Sequence, residues 1–458
     1  MTKPDTDSVQ VRHRLLSRRG FLTASALGAG HALAAAALAG GGRAAPRRPK
    51  VAAIFTVFWH RSHAHVLLEN FLETYLFNGE RTDPGVDVVS FYADQTPDND
   101  MSREVARQYK IPIFKTIDEA LCLGGKELAV DAVLSIAEHG EYPTNKVGQR
   151  EYPRKRFYDE IVAVMRRSKR FVPLFNDKHL SHSWDEAKAM YDEAKKLGIP
   201  LLAGSSVPLA QRRPPLELPQ GAQLEEAVSI HSGPLERYDF HSLEVLQSMV
   251  ESRPGGETGI SGVEFLRGDA VWKAAEQGRW SEDLAKAAMA AEFGKQIPIR
   301  NQLEDQGPYE PTAMIIEYKD GFRATVLRIG YGGVRWNFAC RSKGDATIHG
   351  PRRQATNFYI GPWENRNLFK ALAHAIQHHF IHGAAPYPVE RTLLVTGVLE
   401  AAMQSLAQDG KPVRTPHLEF SYKTPDFTAM REMGASWKII TEDLPEPRGI
   451  NPLGLREG

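Results

Sequence analysis

Three stretches concentrate the residue types that move protons. Asn176-Asp177-Lys178-His179, with His182 close behind, follows the apolar run 171–175. An amine beside a carboxylate at a strand end can polarise a substrate hydroxyl or take its proton. A surface ion pair has the same sequence signature. The second stretch, residues 237–244, sets His241 and Glu244 one helical turn apart on a shared face. That spacing suits a base with its orienting carboxylate or two metal ligands, and equally a capped helix start with a buried imidazole. In the third, Glu138 and His139 close the apolar run 130–136.

These stretches supply the candidates. Lys178, His241, Asp177 and Glu244 are the catalytic set. His179, His182, Tyr238 and Arg212 are the substrate set, since Gly204-Ser205-Ser206 and Arg212-Arg213 could meet hydroxyls or an anionic group. His60, His63, His65, His179 and His182 have no diagnostic spacing and no cysteine partner, so no metal site is expected. His374, His378 and His382 read as a half-buried helical stripe.

Strands alternating with helices must position these groups. Apolar runs at 51–57, 86–92, 130–136, 171–175 and 199–203 read as strands. Helical spacing covers 65–77, 101–109, 118–123, 157–168 and 184–197. Alternation of this kind predicts a parallel, doubly wound sheet over 46–205. Residues 211–219 are Pro-rich and read as a linker. The half over 206–458 differs. Helices are expected at 238–250, 367–381 and 390–406, and strand-like runs at 313–318, 323–329 and 334–340 read as an antiparallel meander. The predicted architecture is α/β followed by α+β with an open, mostly antiparallel sheet. Glu138 and His139 then sit where ligands gather, at the carboxyl ends of the parallel strands. The long polar loop 140–156 beyond them reads as a lid or a packed insertion.

The front of the chain is a different kind of segment. Basic residues precede Ser17-Arg18-Arg19-Gly20-Phe21-Leu22, an Ala-rich apolar run reaches Ala39, and small residues close it near Ala44. This order resembles a removable twin-arginine signal over 1–45. It implies folded export to the periplasm or beyond, with the twin-arginine machinery as a partner. The formal charge of +1 gives no electrostatic case for nucleic acid. Two cysteines, Cys122 and Cys340, exclude a disulfide-stabilised scaffold and read as buried thiols.

The run Asp131-Ala132-Val133-Leu134-Ser135-Ile136-Ala137, then Asn176-Asp177-Lys178-His179, then an amphipathic helix, resembles the Gfo/Idh/MocA oxidoreductases. The helix at Pro388–Glu400 and the segment Thr415–Leu418 are similar to that family's closing elements. The resemblance implies a Rossmann-like dinucleotide-binding domain and a homo-oligomer. It also implies NAD or NADP as cofactor and hydride transfer on a sugar, polyol or derivative. Lys178 stands where the family's Glu-Lys-Pro segment places its Lys, with Asp177 for the Glu and His179 for the Pro. A non-redox or metal-assisted lyase or glycoside-cleaving enzyme, or a sugar-binding protein without dinucleotide, would use the same scaffold.

One departure stands against the resemblance. The dinucleotide fingerprint needs glycines directly after the first strand, yet no glycine lies between Val51 and Phe77. The candidate cofactor contacts are therefore Thr56 and His60 in that first turn, Asp94 after the second strand and Glu138 after the third. Arg61, Ser62 or the histidines would meet phosphate at the next helix N-terminus.

Overall fold

Five consecutive buried residues in Lys50–Phe55 (β1) require a strand covered on both faces. In the computed structural model, which describes residues 47–300, 310–329, 334–343 and 352–454, β1 lies third in a sheet of six parallel strands. The segment 1–45, expected to be a twin-arginine signal, falls outside the described residues. A hairpin of Tyr75–Phe77 (β2) and Glu80–Thr82 (β3) comes next in the chain. The sheet continues with Asp87–Ala93 (β4), Ile113–Phe114 (β5), Ala132–Ile136 (β6), Leu174–Asp177 (β7) and Leu201–Gly204 (β8). Its order is β5-β4-β1-β6-β7-β8. The chain builds outward to β5, then crosses back to β6 on the other side of β1. A crevice opens where the order reverses.

The helices of this half are His63–Leu72 (α1), Ser102–Tyr109 (α2), Ile117–Cys122 (α3), Arg154–Arg167 (α4) and Trp184–Leu197 (α5). The helix expected to reach Phe77 stops at Leu72. Asn78 and Gly79 have φ of 50° and 82°, and this two-residue positive-φ turn closes the β2–β3 hairpin instead.

The second sheet has eight strands, ordered β16-β11-β12-β13-β10-β14-β15-β9. They are Gln211–Arg213 (β9), Leu224–His231 (β10), Ile260–Arg267 (β11), Thr312–Tyr318 (β12), Arg323–Arg328 (β13), Trp336–Ser342 (β14), Arg353–Tyr359 (β15) and Val413–Arg414 (β16). All neighbours are antiparallel except β10 and β13. Two expectations change. The three runs are not a simple meander, because β10 inserts between β13 and β14. The Pro-rich linker begins as β9, an edge strand on β15, where an unpaired strand side tolerates the prolines that follow.

Arg237–Val250 (α6) and Val389–Ala407 (α10) pack on the second sheet, Asn365–His382 (α9) packs on α1, and all three join the large core. Asp269–Glu276 (α7) and Glu282–Phe293 (α8) cover the outer face of the second sheet, over a separate core. Alternation along β10 feeds both: Ala227 belongs to the first, Val228 and Ile230 to the second. From Arg47 onward the chain forms one compact unit. Both cysteines are buried and free. No helix among the described residues is long and apolar enough to cross a membrane.

A late segment, 444–454, lies across α1 and α9. Arg366 and Glu69 form a buried ion pair between those helices, at 2.7 Å. Arg366 also donates to the Gly449 carbonyl at 2.5 Å, His65 Nε2 meets the same oxygen at 3.0 Å, and Lys370 donates to the Pro452 carbonyl at 2.6 Å. Burial pushes the Lys370 ammonium down to about 7.

Candidate active site

The carboxyl ends of β6, β7 and β8 face α6, β14 and α9 across a cavity of about 320 Å³. Glu138 and His139 come from β6, Lys178 from β7, and Tyr238 and His241 from the first turns of α6. Trp336 opens β14. Four residues with left-handed backbone line this one space: Arg61, His139, Lys178 and Glu364, at φ of 64°, 70°, 63° and 50°. Each costs on the order of 1 kcal/mol, and such strain collects where side chains must be aimed.

Lys178 is buried and donates to Glu138 Oε1 at 2.9 Å. Arg154, equally buried, donates to Glu138 Oε2 at 2.5 Å. Burial alone would raise the Glu138 carboxyl, but Lys178 and Arg154 hold it well below the usual carboxylate range. A buried anion thus serves two cations and fixes the Lys178 ammonium at the cavity wall.

His63, the first residue of α1, also lines the cavity. Its Nδ1 lies 2.6 Å from Asp177 Oδ2. His241 Nδ1 lies 2.6 Å from the Ser205 hydroxyl. Burial, then the Lys178 cation, holds His241 well below the ordinary imidazole range, so it is neutral at pH 7. Tyr238 stacks on Trp336 at 5.2 Å, and His241 meets the same indole edge-on at 5.3 Å. Gly233 permits this, because a β-carbon there would fall 1.9 Å from the Tyr238 ring. Indole and phenol faces of this kind receive the C–H surface of a sugar or polyol.

The other end of the crevice, above β1 and β4, is built differently. Phe58 is buried against Phe55 at 5.6 Å, and Trp59 stands against His139 at 5.8 Å. Thr56 donates its hydroxyl to the Glu138 carbonyl at 2.6 Å. Asp94 Oδ1 accepts from Tyr92 and Arg156, and Oδ2 from Tyr142, at 2.6–2.7 Å. Gln95 exchanges two 2.9 Å bonds with the Glu141 backbone. The loop after β6 is thus clasped onto β4 and is packed, rather than standing open as a lid.

A dinucleotide across this crevice needs bare backbone after β1, a free carboxylate after β4 and space at the reaction end. The reaction end fits. The adenosine end does not fit in the usual manner, because Asp94 is fully engaged and the β1 turn carries bulky side chains. What remains for phosphate is the N-terminus of α1, capped by Ser62, and Arg61. Glu446 and Glu364 hold that guanidinium.

Several expected site residues lie elsewhere. His60 points outward, 3.4 Å from Glu446. Arg212 does not line the cavity; it is buried at a separate pocket, where it and Arg431 share Glu217. Glu244 does not orient His241. It accepts from Thr392 at 2.7 Å, its Oε2 has no partner, and burial pushes it up to about 7. One turn further along the same face of α6, it lies behind the cavity wall, against Gly204. His179 sits beneath the wall, 3.2 Å from Arg154. His182 lies near Glu151, where Gln149 donates to its carbonyl. His65 is structural, since its Nδ1 accepts from Arg61 N–H. His374 stacks on Phe77 at 3.9 Å. No group of three or more His, Cys, Asp or Glu among the described residues is placed to hold a metal. Sequence reasoning missed Trp336 and the His63–Asp177 pair. For the pair, the available signal was a His directly after the Ser62 cap, at the carboxyl end of β1.

No protein-family profile matches the chain, and no curated protein sequence matches it. Solved structures do. GenD2 from gentamicin A biosynthesis, in complex with NAD, aligns at a TM-score of 0.50 and 14% identity, over 80% of this chain and 96% of its own. A probable dehydrogenase from Thermotoga maritima aligns at 0.50 and 12%, over 81% and 99%. Myo-inositol dehydrogenase from Lactobacillus casei, in complex with NAD(H) and myo-inositol, aligns at 0.50 and 12%, over 83% and 100%. At such identities the likeness is one of fold alone, a six-stranded parallel sheet followed by a mixed sheet.

Proposed function

We propose that this chain is an oxidoreductase acting on a polyhydroxylated, carbohydrate-like small molecule, with NAD or NADP as its redox partner. The observation that carries this reading is the Lys178 ammonium, presented at the reaction end of the crevice beside His241 and the Tyr238–Trp336 stack. The fold likeness supports it, through structures that hold NAD and, in one case, myo-inositol. When bound, the nicotinamide supplies the hydride acceptor. The chain's own residues do the rest. Trp336 and Tyr238 receive the apolar face of the ring. Lys178, anchored on Glu138, donates to the reacting oxygen and stabilises charge on it. Neutral His241 orients the same hydroxyl. In this reading residues 1–45 are a removable leader, and the twin-arginine pattern supports work outside the cytoplasm after folded export.

Two observations favour a second reading. The glycine-free turn and the engaged Asp94 suit a non-redox acid–base enzyme that takes its sugar without a dinucleotide. Thermal melting of the purified protein with NAD, NADH, NADP or NADPH separates the two. A nucleotide at a hundred times its dissociation constant adds about 2.7 kcal/mol, a rise of several degrees. Under the oxidoreductase reading one nucleotide pair gives that rise. Lys178→Ala keeps it while losing oxidation of myo-inositol or sugars by at least a hundredfold. No shift with any of the four would overturn the oxidoreductase reading.

A further inference from the structure

We propose that His63, oriented by Asp177, is the proton acceptor of this cavity. The inference rests on reading the cavity as the active site. The two residues lie 114 positions apart, on α1 and at the end of β7, and both are buried. An ionised carboxylate can only accept a hydrogen bond. In the neutral imidazole the 2.6 Å contact therefore puts the proton on His63 Nδ1 and the lone pair on Nε2. His63 lines the cavity, so Nε2 is the nitrogen left to a ligand. The ring is held edge-on between Phe369 at 4.6 Å and His139 at 5.0 Å. Nearby histidines differ. His65 has both nitrogens engaged, by Arg61 N–H and the Gly449 carbonyl. His231 is engaged by Asp239 and Gly233 N–H.

The arrangement divides labour with Lys178. The ammonium already donates to Glu138 and acts as a donor toward the substrate oxygen. His63 takes the proton. The substrate O–H bond breaks, the Nε2–H bond forms, and the electron pair stays on the substrate oxygen. The imidazolium is paired with Asp177 and returns its proton to product or water. The transfer is redox-neutral and serves an alcohol in either reading above. The titratable and charged groups facing His63 are Asp177 and Lys178 at the end of β7, Glu138 and His139 after β6, Arg237, Tyr238 and His241 from α6, Arg61 from the β1 turn and Glu364 at the start of α9. Burial pushes His139 down to about 3, so it does not compete for the proton near neutrality.

Site-resolved acylation by diethyl pyrocarbonate tests this without a known substrate. The rate at each His is followed by mass spectrometry across pH on the intact protein. In the wild type, His63 reacts with a single inflection. Asp177→Asn moves that inflection down by about one pH unit, because the imidazolium loses its anion, and Asp177→Glu restores it. Two results overturn the proposal: a His63 that stays inert while exposed His60 reacts, or an inflection that Asp177→Asn leaves in place in a normally melting protein. If the variants fail to fold, the wild-type arm still decides. Nucleotide melting shifts on the same samples keep the two ideas apart. Nucleotide binding with an inert His63 removes this proposal alone; a reactive His63 without nucleotide binding removes only the hydride reading.

Discussion

At the β4 end of the crevice, Asp94 engages both carboxylate oxygens with Tyr92, Tyr142 and Arg156. At the β7 end, Lys178 and His63 each lean on one buried carboxylate and keep a face toward an open cavity. Both ends belong to one sheet edge and use charged, hydrogen-bonding side chains. One end is self-satisfied and closed; the other is preorganised and incomplete. A hydrogen-bonded cluster in itself therefore says little about ligand binding. What matters is whether donors and lone pairs are left facing space.

The sharpest test of this contrast is Glu138→Ala. It leaves the buried Lys178 and Arg154 without their anion, and a broken buried pair costs about 3–5 kcal/mol. Urea unfolding should show that loss. Asp94→Ala should cost clearly less, because its Arg156 partner is 44% exposed. Equal losses would break the comparison.

Behind the reaction end, Glu244 is held up to about 7 by burial. Its unfolded counterpart ionises near 4.5, so between those values the native state holds the extra proton and stability falls as pH rises. Above about 7 the loss is complete, on the order of 3 kcal/mol. Glu244→Gln should flatten the fall and leave the protein more stable at pH 8 than the wild type, as read by melting temperature against pH.

Tyr142→Phe is the smallest change. It removes one donor to Asp94 and should cost about 1 kcal/mol. If the closed end excludes adenosine ribose, this variant also tightens whichever nucleotide shifts the melt. If the end is irrelevant to ligand, only stability moves.

Much of the scaffold was legible in sequence because buried parallel strands leave continuous apolar runs, as at 51–55 and 132–136. Leu224–His231 and Arg353–Tyr359 were not, because polar residues such as Glu225, Glu226, Arg353 and Gln354 interrupt them. The β2–β3 hairpin was written in Asn78-Gly79 but overshadowed by the helical spacing before it. At the site, Lys178, Glu138, His241 and Tyr238 were legible as strand-end or helix-start residues. The partners that give them meaning were not. His63 with Asp177, and Tyr238 with Trp336, meet only through tertiary packing across about a hundred residues. Helical spacing also pairs residues by face but not by depth, which is why Glu244 was matched to His241 and found behind the wall.

The strap over α1 sets an order of events. Arg61, in the first turn of the sheet, waits for Glu446, made 385 positions later. Arg366 and His65 likewise wait for the Gly449 carbonyl. Until that segment is made, Arg61 has Glu364 but not Glu446, and Arg366 has Glu69 but not the Gly449 carbonyl. The turn beside the cavity therefore draws part of its hydrogen bonding from residues nearly four hundred positions further along the chain.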